Sequence, residues 1–173
     1  MREKRDLVVG LTLFLVSAAG TLAAQEQKPV PGTYQSIEVA RFDIKEGVEK
    51  FSADWLLTMD DMLVKQLQST KVFKEVLREG EQPQDAAAPT LKLVGTVTEF
   101  KAGSRMKRFM IGFGAGKTVV KAHVRWIDKA TGGVVFEDDV DGKVVLGGGD
   151  SIDATTGLAH EVAKVTKKEF FRK

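Results

Sequence analysis

The stretch that comes nearest to a known chemical motif is Ile111-Gly112-Phe113-Gly114-Ala115-Gly116-Lys117-Thr118. A phosphate-binding loop needs a glycine, four further residues and then Gly-Lys-Thr, so that its backbone N–H groups can cradle the phosphates. Counted back from Gly116, the required glycine falls on Ile111, and Gly112 is one residue too close. The motif must also run from a strand into a helix, whereas a strand pattern begins at Thr118. The dinucleotide fingerprint fails as well, because Gly112, Gly114 and Gly116 simply alternate. The sequence therefore predicts no nucleotide and no cofactor. The three glycines, with Lys117, read as a bulged or flexible entry to the next strand, where backbones approach closely.

Directly before them lies a second pattern. Arg105, Lys107 and Arg108 form a basic cluster, and Phe109, Met110, Ile111 and Phe113 an apolar one. A connection this long, running from residue 101 to 117, is uncommon in a compact domain unless it binds something or is disordered. Arg105, Lys107, Arg108, Phe109, Met110 and Phe113 are accordingly the candidate contacts to a protein partner or a membrane surface. The competing reading tucks the apolar half under the sheet.

The remaining chemistry is thin. His123 and His160 are the only histidines and sit on different elements, so a metal site would need carboxylates that the pattern does not place. Asp60-Asp61 is a carboxylate pair by sequence, but adjacent helix residues point about 100° apart, and both are assigned to a solvated face. No Gly-x-Ser-x-Gly nucleophile elbow occurs. The expectation is a non-enzymatic protein, with a periplasmic small-ligand binder or hydrolase working near His123 and the glycine loop as the alternative.

An export signal decides where this chemistry would operate. Met1 to Asp6 is charged, Leu7 to Ala19 carries no charge, and the polar Gln25-Glu26-Gln27 follows. A basic head, a short apolar run and small residues make a secretory signal. The run is shorter than the ~20 apolar residues that span a bilayer. A cut after Ala24 fits, and an uncleaved N-terminal anchor is the alternative. The protein is thus expected in the periplasm or secreted, and the absence of cysteine predicts no acylated lipid anchor.

Removing that segment from the 173-residue chain leaves 149 residues with 23 basic and 22 acidic side chains, a net charge of +1. That balance argues against a nucleic-acid binder working through bulk charge. An exported chain with no cysteines has no disulfide staples either, so packing alone must hold its fold.

The elements that would position these residues follow from periodicity. Residues 25–34 read as a leader, and 35–173 as one domain. Gln35 to Ile44 alternates as a first strand, with Ile37, Val39 and Phe42 or Ile44 inward. Ser52 caps a helix whose stripe is Trp55, Met59, Met62, Leu63 and Leu67, while Asp54, Asp60, Asp61 and Lys65 face away. Val72–Leu77 and Leu91–Phe100 read as strands joined by a Pro- and Ala-rich linker. In Thr118–Asp128, Val120, Ala122, Val124 and Trp126 line one face, and Lys121, His123 and Arg125 the other. Asp128 to Gly133 forms a hairpin turn into a partner strand from Val134 to about Val145. Asp150 or Ser151 caps a last helix, whose apolar arc runs from Thr155 through Leu158, Val162 and Thr166 to Phe170. The order β-α-β-β-β-β-α predicts an α+β two-layer sandwich, a mostly antiparallel sheet with two helices on one face.

Leu93 through Gly95, Gly103-Ser104-Arg105, Gly112 to Lys117 and the Asp128…Thr131-Gly132 turn together resemble the bacterial domain of unknown function 4410 family. The similarity covers most of the mature chain. It implies an exported or lipid-anchored bacterial protein, this chain departing from the anchored members by its lack of cysteine, and carries over no catalytic residue. At the level of fold, the element order and Phe73-Lys74-Glu75-Val76 are similar to two periplasmic domains. These are the N-terminal domain of the Tol-system β-propeller protein and the domain of the curli secretion pore. That likeness implies a docking or assembly role.

Overall fold

The computed structural model describes residue 30 and residues 32–102, 118–143 and 151–171. Their elements are β1 (Ser36–Val39), β2 (Asp43–Ile44), α1 (Ala53–Thr70), β3 (Glu75–Arg78), β4 (Thr90–Lys101), β5 (Val119–Asp128), β6 (Val134–Lys143) and α2 (Ser151–Phe170). The strands form one mixed sheet in the order β3-β1-β4-β5-β6, with β2 also paired to β4. The long ladders β4–β5 and β5–β6 are antiparallel, while β1 runs parallel to β3 and β4. The protein is α+β, as its periodicity implies.

Each element forms for a local reason. Ser52 Oγ accepts the Trp55 N–H at 3.3 Å and starts α1, and Lys71 ends it in a left-handed conformation (φ 57°). β5 keeps strict alternation: Val120, Ala122, Val124 and Trp126 are fully buried. The turn after it is tied by Asp128, whose Oδ1 accepts the N–H groups of Ala130 (3.0 Å) and Thr131 (2.8 Å). Gly132 takes the positive φ of 72° that this turn requires. α1 and α2 pack on each other and on the same side of the sheet, α1 over β1 and β3, α2 over β5 and β6. Trp126 is the centre of the layer between them. Its Nε1–H donates to Thr166 Oγ1 at 3.0 Å, and that hydroxyl donates on to the Val162 carbonyl at 2.7 Å. The one polar atom of a fully buried indole is thereby satisfied.

The first strand departs from its sequence pattern. Instead of one strand from Gln35 to Ile44, the chain breaks at Ala40–Phe42 into β1 and β2, both on the same side of β4. The cause is Gly95. A Cβ at that position would collide with the Phe42 ring, so the missing side chain makes the slot into which Phe42 turns, 1% exposed. Pairing resumes at once, with Ala40 N–H to Leu93 O and Lys45 N–H to Val97 O, both 2.9 Å. The strand expected over Val72–Leu77 is β3, displaced to Glu75–Arg78, because Phe73 is drawn into the core beside Phe170.

Candidate functional site

The named contact residues Arg105, Lys107, Arg108, Phe109, Met110 and Phe113 lie outside the described residues, as do Gly112, Gly114, Gly116 and Lys117. Residue 102 leaves the end of β4 and residue 118 leads into β5, at the end of the sheet opposite to the Asp128 turn.

Among the described residues, functional groups gather in two places. The first is the sheet face that neither helix covers. There Lys121 stands opposite Asp141, His123 opposite Asp139 and Arg125 opposite Glu137. His123 Nδ1 lies 2.9 Å from Asp139 Oδ1, and Nε2 lies 3.5 Å from Glu137 Oε2. Glu99 contacts both Lys101 and Lys121, the latter at 3.1 Å. Hydrogen bonds from the two lysines hold the Glu99 carboxyl below its ordinary range and, in return, hold the Lys121 ammonium above its own. Val94, Thr96 and Ile127 lie half-buried among these charges. The result is a cross-braced polar ladder.

The second cluster joins β1, β3 and α1. Glu38, almost fully buried, has Lys129 against one oxygen and Lys92 3.9 Å from the other, with the Gly80 N–H at 3.4 Å. Glu79 accepts the Arg41 N–H at 3.2 Å, and Asp61 pairs with Arg78 at 2.8 Å. Asp60 corrects the sequence reading, because it does not face away. Its side chain is only 16% exposed, with Oδ2 at 3.7 Å from Arg41 Nε and Oδ1 buried without a partner. Burial pushes its carboxyl up to about 6, although the Phe42 N–H and Arg41 pull the other way. Helical periodicity alone could not reveal this, since the groups that enclose Asp60 come from the β1–β2 break.

Asp128 and Tyr34 form a smaller third contact, with the Tyr34 hydroxyl donating to Asp128 Oδ2 at 3.0 Å. Burial and that bond push the tyrosine up to about 12. For Asp128, burial pushes upward, but the donors from Thr131, Tyr34 and Ala130 outweigh it and hold its carboxyl low. This is a structural tie between the leader and the hairpin.

Two of the cavities on the described surface lie beside β3 and β4. One, of about 560 Å³, lies beside β3 and is lined by Gln68, Lys71, Phe73, Lys74, Gln82 and Gln84 among others. The other, of about 470 Å³, lies between Gly47–Lys50 and Thr98–Ala102. Neither includes His123, which sits on the polar ladder. Among the described residues no group of three His, Cys, Asp or Glu side chains is arranged to hold a metal. Nor is any described helix long and apolar enough to cross a membrane.

Comparison with known proteins places this architecture. The family model of the domain of unknown function DUF4410 matches residues 19–165. The chain belongs to this family. Members are united by a domain with no assigned role, so membership brings no site residue. No protein of curated function matches the DUF4410 chain. Among solved structures, a single-substitution variant of the PelC dodecamer from Paraburkholderia phytofirmans is similar with a TM-score of 0.58 and 17% identity, over 85% of this chain and 95% of that one. A second PelC dodecamer crystal form gives a TM-score of 0.56 at the same identity and coverage. A DUF330 protein from Xanthomonas campestris follows at 0.48 and 12% identity, over 82% and 88%. At these identities the likeness is one of fold.

Proposed function

We propose that this DUF4410 protein is an exported, non-enzymatic assembly module of the cell envelope that associates with copies of itself and docks a partner. The observation that carries this reading is the uncovered sheet face. It sets opposite charges across from one another around the half-buried Val94 and Ile127, the composition of a contact surface more than of a reaction cleft. Its fold is shared by PelC, a protein crystallised as a dodecamer, over nearly the whole length of both chains. The sheet edges argue for closed association over open-ended strand pairing. At β3, Glu81 caps the Arg78 N–H at 2.7 Å, and Glu75 accepts the Gln84 N–H at 3.1 Å. At β6, Glu137, Asp138, Asp139 and Asp141 are exposed along the edge and repel a like strand.

The reading is tested by light scattering of the protein purified after export. The expected result is a discrete mass several times that of one chain, and a monomer at every concentration would overturn self-association. In cells, crosslinking should capture a partner that Phe109→Ser and Phe113→Ser abolish without unfolding the domain. If those two variants unfold, the residues are core and the docking role falls.

A further inference from the structure

The chain enters the fold at one corner, and that corner has an unusual surface. Gly32 N–H donates to the Phe170 carbonyl at 3.3 Å, and the Tyr34 ring meets Phe170 edge-on at 6.3 Å. The first described residues therefore lie against the C-terminus of α2. Here Val30 is 65% exposed and Phe171 41%, two of the three exposed large hydrophobic residues among those described. Lys167 Nζ sits 5.8 Å from the centre of the Phe171 ring, and Lys168, exposed on the next position, pairs with Glu169 at 3.1 Å. Phe73, flanked by Lys71 and Lys74, touches Phe170 from the end of α1. Both helices thus finish at this corner with lysines around them.

Lysines at helix C-termini complement the helix dipole, which accounts for the charges but not for apolar side chains left in water next to them. Basic residues ringing exposed Phe and Val are the composition of a surface that rests on anionic lipid. There the apolar groups enter the headgroup boundary and each lysine adds a favourable contact. The sequence supplies the reason for choosing lipid over protein. The uncharged run Leu7–Ala19 precedes Val30 by only ten residues, a connection that reaches at most about 35 Å when extended. If that run is the export signal its composition predicts, it ties the Val30–Phe171 corner to the bilayer until it is cut away.

We propose that Val30, Phe171, Lys167 and Lys168 form a docking surface for an anionic membrane, so that the opposite end of the sheet, where residues 102 and 118 leave it, points away from the bilayer. This surface does not depend on self-association. The test is flotation of the exported protein with vesicles of phosphatidylcholine alone or mixed with phosphatidylglycerol. Binding is expected only to the mixed vesicles and weakens as salt rises. Phe171→Ser should lower it about tenfold, and Lys167→Gln with Lys168→Gln about tenfold or more. Val30 stands outside the core, so Val30→Ser should weaken binding with an unchanged unfolding midpoint even if Phe171→Ser disturbs the helix end. Equal binding to both kinds of vesicle, no binding to either, or binding that survives the Val30 and lysine substitutions would each overturn the proposal. Attachment that requires an added envelope protein would overturn it in favour of a protein partner.

Discussion

Asp60→Asn isolates the cost of one half-buried charge. Asp60 lies on α1 beneath the β1–β2 break, with Oδ1 buried and unpartnered, Arg41 Nε at 3.7 Å, and Asp61 and Glu79 nearby. Its carboxyl is raised from 3.8 to about 6, chiefly by burial. Because the folded value lies above the unfolded one, the native state binds the proton more tightly. Stability contributed by the protonated form is therefore present at low pH. It is lost as pH rises from about 4 to about 6, after which the native state carries the full penalty. At 1.36 kcal/mol per unit the shift corresponds to about 3 kcal/mol, and the partly open position beside Arg41 reduces this to about 1–2 kcal/mol. Asparagine keeps an oxygen for the Phe42 N–H and never ionises. The variant should exceed the native protein by about 1–2 kcal/mol at pH 8, a rise of several degrees in unfolding temperature for a domain of this size. The two should converge near pH 4. Urea unfolding at pH 8, 6 and 4 measures the gap. A gap that stays constant with pH, or a variant less stable at pH 8, would refute the assignment of Asp60 as a charge held against its solvation.

Two glycines give sharper tests of packing. Gly95→Ala places a methyl group inside the Phe42 ring and should cost about 2–3 kcal/mol; combining it with Phe42→Leu should recover part of that loss in the same unfolding assay. Gly142→Ala puts a Cβ 2.5 Å from the Ala154 carbonyl oxygen, a backbone atom that cannot swing aside. It should lever α2 away from β6 and speed hydrogen exchange at the amides of Val162 and Thr166.

Periodicity made most of the framework legible. The alternation of Val120, Ala122, Val124 and Trp126 needs no partner to be read, because a strand with one wet face must alternate. The arc from Thr155 to Phe170 is equally plain, and His160 falls on the exposed side as the helical wheel places it. Both patterns are local, so they survive in one dimension. The Phe42 slot, the Asp60 burial and the Glu38–Lys129 contact were not legible, for one shared reason. Each joins residues between 18 and 91 positions apart in the chain, and nothing in the local spacing marks either end.

The family, the α+β order and the inward faces were thus set by the sequence itself, through its motifs and its hydrophobic period. Tertiary structure decided three things. It made the sheet mixed, with β1 parallel to both its neighbours; it split the first strand over Gly95; and it brought Val30, Phe73 and Phe171 to one lysine-ringed corner. Strand order and corner composition depend on which distant segments close on each other. That choice is made by burying both helix stripes on one face at once, a global condition that no window of sequence contains.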